Sequence, residues 1–125
     1  MKSILLFILI PFYSYSQGVV GLTLSELKQS YPGQVYERTE IETGTVYSTK
    51  FPYCVASYFF RTGTDVIEFT MVFPDGTTKL SGMIEKYNRE YVIISKTEWR
   101  AYINGSTMEI KLEMNENGMY SFIYY

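Results

Sequence analysis

The stretch PYCVASYFF, residues 52–60, holds the only cysteine of a 125-residue chain, and that chain contains no histidine. A thiol becomes a nucleophile when a histidine, a cation or a helix N-terminus lowers its pKa. Cys54 has Tyr53 and Val55 as its sequence neighbours. It therefore reads as a small buried hydrophobe, an ordinary fate of free cysteine. A single cysteine also cannot close an internal disulfide. Without histidine, Ser-His-Asp and Cys-His arrangements fall away, together with the usual zinc sets. No metal and no cofactor is expected.

The remaining reagents are carboxylates, lysines and tyrosines. Glu37, Glu40 and Glu42 crowd one short segment, with Glu40 and Glu42 sharing a strand face. A carboxylate pair can hydrolyse a glycoside, but it then works in a cleft and normally comes from different elements. Charges that guard an edge strand explain the segment with fewer assumptions. Asn115-Glu116-Asn117-Gly118 lacks the spaced carboxylates of a calcium loop and reads as a hairpin turn. Asn104-Gly105-Ser106 has the form of a glycosylation sequon, yet Asn-Gly is also a favoured two-residue hairpin turn. Tyrosine is abundant, 13 in all, two of them near the N-terminus at Tyr13 and Tyr15. It suits strands, and with arginine it also suits interfaces.

Which elements would carry these groups? The first is a leader. Lys2 precedes an apolar run from Ile4 to Ile10, and Ser14-Tyr15-Ser16 offers small residues at a cleavage point. This is the succession of a secretory signal peptide, residues 1–16, and the run is too short for a membrane span of roughly 20 apolar residues. The first mature residue would be Gln17, which resembles leaders common among Gram-negative bacteria. A periplasmic or extracellular address follows, with no membrane span in the mature chain. Residues 17–125 then form one domain of ordinary size. Eleven basic and thirteen acidic side chains leave a net charge of −2. No cluster of Lys and Arg marks a nucleic-acid footprint.

Thr23 and Glu26 have the spacing of a capping box, with Leu22 and Leu27 as a hydrophobic staple around it. Leu24, Leu27 and Tyr31 continue one helical face, and Pro32 stops the helix near residue 30. Strands follow in VYERTEI, TVYSTKF and YCVASYFFR. A fourth, DVIEFTMVF, alternates Ile67, Phe69, Met71 and Phe73 with Val66, Glu68, Thr70 and Val72. Pro74-Asp75-Gly76 turns the chain. A second helix spans TTKLSGMIEKYNREY, with Leu80, Met83, Ile84 and Tyr87 on one face. VIIS, EWRAYI, TMEIKLEM and MYSFIYY complete the strands. Helix, strands, helix, strands suggests an internal repeat, and an offset of 56 lays Leu24, Leu27 and Tyr31 on Leu80, Met83 and Tyr87. The fold class is α+β: two layers, an antiparallel sheet with two short helices on one face.

The onset Gly21-Leu22-Thr23-Leu24-Ser25-Glu26-Leu27, read as G-x-T-x-x-E-L, resembles the helix start in small secreted bacterial domains of the β-lactamase-inhibitor-protein type. That resemblance implies short helices paired with a β-meander and a protein-binding role. This chain departs from the type in having one short helix where a helical pair is usual.

By alternation Glu68, Thr70, Arg100, Tyr102, Glu109 and Lys111 all fall on the polar side of their strands. If the strands share one sheet, these residues share its uncovered face. Both charge signs around an aromatic fit a protein or glycan partner. The expected function is that of an exported non-enzymatic binding or accessory domain using this face. The alternative is a small carboxylate-dependent hydrolase.

Overall fold

The computed structural model describes residues 18–103 and 105–125. The expected leader and the Asn104 half of the Asn-Gly turn lie outside the described residues. Helix α1, Leu24–Ser30, starts as its sequence directs. The Glu26 amide donates to Thr23 Oγ1, and the Thr23 amide donates back to Glu26 Oε1 at 2.9 Å. Both ends of the capping box are therefore made, which satisfies two amides with no partner inside the helix. Leu27 is fully buried, and the Tyr31 amide closes the last turn on the Leu27 carbonyl before Pro32.

Four strands follow as a meander: β1 Glu37–Ile41, β2 Gly44–Phe51, β3 Cys54–Arg61 and β4 Phe69–Pro74. Glu42 falls in the β1–β2 turn and not on the strand with Glu40. Helix α2, Thr77–Glu90, comes next, and a second meander completes the chain: β5 Val92–Ser95, β6 Glu98–Ile103, β7 Ser106–Met114 and β8 Tyr120–Tyr124. The eight strands among the described residues form one antiparallel sheet in the order β1-β2-β3-β4-β8-β7-β6-β5.

Each half is thus one helix followed by four strands. The halves meet where β4 pairs β8 through Thr70–Tyr124, Met71–Ile123 and Val72–Phe122. This pairing is symmetric about Met71 and Ile123, so an approximate two-fold axis passes between them. Those residues are offset by 52 positions (71 to 123) and the helices by 56. The halves differ in the link from helix to first strand and in β2, which has eight residues where β6 has six, so no single offset lays one half on the other.

The two helices cover one face. Leu27, Tyr31, Leu80, Met83 and Tyr87 pack there against Cys54, Tyr58, Val72, Trp99 and Phe122. Tyr87 is the hub of the second half. Its ring lies edge-on to Trp99 at 5.6 Å and to Phe122 at 4.9 Å. Its hydroxyl bonds to that of Tyr124. The Trp99 indole N–H donates to Asn88 Oδ1 at 2.8 Å, so this large buried ring leaves no polar atom unsatisfied.

Candidate binding face

Strand parity assigns every side chain to one face or the other. Cys54, Ala56, Tyr58 and Phe60 of β3 point to the helices. Register then sends Thr70 and Val72 of β4 the same way, with Phe122 and Tyr124 of β8 and Trp99 and Ala101 of β6. Thr70 is therefore not on the open face, contrary to the expectation from alternation. It is fully buried, and its hydroxyl donates to the Val19 carbonyl. The reason is that β4 is apolar at both parities. Val72 and the threonine with its satisfied hydroxyl face the core, and the larger Phe69, Met71 and Phe73 face away from it.

Four of the expected residues do share the open face. Arg100 of β6 and Glu109 of β7 are direct cross-strand partners, and the guanidinium Nε donates to Glu109 Oε1 at 2.6 Å. The Tyr102 hydroxyl, followed by the Glu109 carboxylate, raises the Arg100 pKa still further above its ordinary value. Lys111 reaches Glu113 on the same face at 3.2 Å, and its pKa is raised by that contact. Tyr102 is 64% exposed. Glu68 sits apart from this group, in the other half. It lies in the segment just before β4, where its carboxylate accepts a fork of hydrogen bonds from Arg61 at 2.9–3.1 Å. That guanidinium hangs over the Phe59 ring, 6.0 Å from its centroid.

Between these two polar groups runs an apolar strip that alternation did not reveal. Register places Val46, Phe59 and Phe69 side by side across β2, β3 and β4, and Val55 beside Phe73. Met71 and Ile123 continue the strip across the two-fold axis. Phe59 and Phe69 stack with centroids 4.8 Å apart. Phe59 is buried beneath its neighbours, while Phe69, Met71, Phe73 and Ile123 are half-buried. The signal was present in β3, whose Val55 and Phe59 are as apolar as its core-facing residues. A strand that is apolar at both parities gives no period to read.

The other reagents have local roles. Cys54 is fully buried, and burial pushes its thiol up to about 12 although Lys50 and Lys86 pull the other way. Glu40 accepts from the Thr45 hydroxyl and pairs with Arg38 on the exposed edge. Asn115 Oδ1 accepts from the amides of Asn117 and Met119, both at 2.9 Å, and so holds the β7–β8 turn together. The depressions on the described surface include two. One of about 370 Å³ lies between Tyr53 and the Lys79, Gly82 and Lys86 face of α2; the other, of about 350 Å³, has Asp65 as its only acid. Neither brings two carboxylates together. Among the described residues no three metal-binding side chains converge, and no helix is long and apolar enough to cross a membrane. No protein-family model matches the chain, and neither the curated proteins nor the solved structures supply a match.

Proposed function

We propose that this chain is an exported, non-enzymatic binding domain that holds a protein partner on the open face of its sheet. The observation that carries this reading is the uncovered strip of Phe69, Met71, Phe73 and Ile123, flanked by the Arg61–Glu68 and Arg100–Glu109 pairs. A protein contact commonly has an apolar centre with a polar, partly wetted rim. Aromatic and arginine side chains are the usual anchors of such contacts. A glycan would need polar groups across the centre, where this face is apolar. The resemblance at Gly21–Leu27 favours a protein partner as well. Export rests on the succession of residues 1–16.

The test is site-specific photocrosslinking in the exported fraction. A photoreactive residue at Tyr102 or Ile123 should trap one protein, and the same residue at Lys79 on the helix side should not. Tyr102→Ala should then weaken that partner roughly 30-fold, the size of a modest anchor loss, with unchanged circular dichroism. Equal trapping from Lys79, or wild-type affinity in both Tyr102→Ala and Ile123→Glu, would remove the open face from the function.

A further inference from the structure

The two edges of the sheet are built differently. β1 carries Glu37, Arg38 and Glu40, all exposed. Charges of this kind stop another strand from adding to an edge. β5 carries none. Its Val92, Ile93 and Ile94 are 47%, 55% and 46% exposed, and among the described residues no strand pairs with its outer side. An edge of this kind offers both unpaired backbone groups and bare aliphatic surface.

What flanks β5 indicates what it takes. Glu90 and Lys96, both exposed, each lie three positions from Ile93, one on either side. Opposite charges at equal distances from a centre complement themselves when a second copy is turned through a two-fold axis. Antiparallel pairing about Ile93 sets Val92 against Ile94 and Ile93 against itself. It brings Lys96 of each copy to the end where the other carries Glu90. A parallel approach in register would lay like charge beside like. Register also puts Val92 on the side of Arg100 and Ile93 on the side of Trp99, so aliphatic contact is available on both faces of the added ladder.

We propose that β5 pairs antiparallel with β5 of a second copy, centred on Ile93, and joins the two sheets into one. β5 has four residues, so the contact falls below the roughly 1,000 Å² of a stable complex and the dissociation constant should be on the order of 10–100 µM. The open faces stay free, side by side.

Sedimentation of the purified protein from about 1 µM to 1 mM spans that range. The wild type should move from monomer to dimer. Ile93→Lys and Ile93→Glu should each stay monomeric with native circular dichroism. An equal mixture of the two should dimerise again, because unlike charges then meet on the axis. That recovery separates a lost interface from a lost fold. Glu90→Lys should weaken the dimer, and adding Lys96→Glu should restore it. A wild type that stays monomeric at about 1 mM, as it would if β5 took an extended segment of another protein, overturns the proposal. A dimer that survives Ile93→Lys, or a mixture that stays monomeric, does the same.

Discussion

On the open face, the first half of the sheet presents Val55, Phe59, Phe69, Met71 and Phe73, and the second presents Glu98, Arg100, Glu109, Lys111 and Glu113. The two meanders have the same order of elements and meet on an approximate two-fold axis, yet the centre of the first half's outer surface is apolar, with Arg61 and Glu68 at one end, while the second half's is charged beside Ile123. Beneath the sheet the contrast runs the other way. The second half satisfies its buried polar atoms, Trp99 through Asn88 and Tyr87 through Tyr124. The first half leaves the Tyr36 hydroxyl buried with no hydrogen-bond partner among the described residues. Even the helix starts differ. α1 is capped by Thr23, whereas α2 begins at Gly76 with no side-chain cap. One backbone plan therefore tolerates opposite chemistry on either face, provided that the β4–β8 joint is kept.

Alkali should break the comparison most completely. Burial raises Cys54 from near 9 to about 12, and it raises Tyr31, Tyr36 and Tyr58 of the first half and Tyr124 of the second. Each group titrates later when folded than when unfolded. Its stabilisation is whole below the unfolded value and is lost as pH climbs from there toward the folded value. Denaturant melts should hold steady to about pH 8.5 and then lose several kcal/mol by about pH 12. Cys54→Ala should flatten the first part of that fall. A midpoint independent of pH from 9 to 11 would contradict the burial of these groups.

Trp99→Ala removes the largest fully buried side chain and leaves Asn88 without its donor. A loss of about 3–5 kcal/mol is expected in denaturant unfolding. A loss below about 1 kcal/mol would mean that the second half closes over the gap.

The helix starts separate next. Gly76 has φ 88° and ψ 171°, a region essentially reserved for glycine, so Gly76→Ala should cost about 1–3 kcal/mol. Thr23→Ala removes a side-chain cap and should cost about 1 kcal/mol. Equal stability for Gly76→Ala and wild type would show that α2 can begin at another residue.

The smallest effect tests the hydroxyls. Tyr36→Phe deletes a buried oxygen that has no partner among the described residues and should be neutral or slightly stabilising. Tyr87→Phe strands the Tyr124 hydroxyl and should cost about 1–3 kcal/mol. The double variant Tyr87→Phe/Tyr124→Phe should recover part of that loss. Identical costs at Tyr36 and Tyr87 would erase the distinction between the halves.

Local signals were the readable ones. Thr23 and Glu26 needed only three-residue spacing, and Leu80, Met83 and Tyr87 needed only the helical period. The polar alternation of β6 and β7 put Arg100, Tyr102, Glu109 and Lys111 on one face before any pairing was known. β4 resisted because both of its faces are apolar, so period two could not say whether Thr70 or Met71 looks inward. The fate of Glu68 depended on Arg61 across a bend, and the strip through Met71 and Ile123 depended on β4 meeting β8. Both are contacts between distant positions, which no local spacing records. The charge arrangement around Ile93 lay open in the sequence, but only the strand order makes β5 an edge.

During synthesis the order of events is set by the seat of β8. It is the last strand of the second meander, yet it lies between β4 and β7 in the middle of the sheet. The first meander can be made early from near neighbours, whose contacts form fast. Its β4 must then wait, with one backbone edge unpaired and Thr70 and Val72 short of their partners Tyr124 and Phe122, until β5, β6 and β7 have been translated. Half-made chains of this kind expose the surfaces that lead to aggregation. The slowest folding phase should accordingly belong to closure of the β4–β8 seam, and a chain that unfolds should open there first.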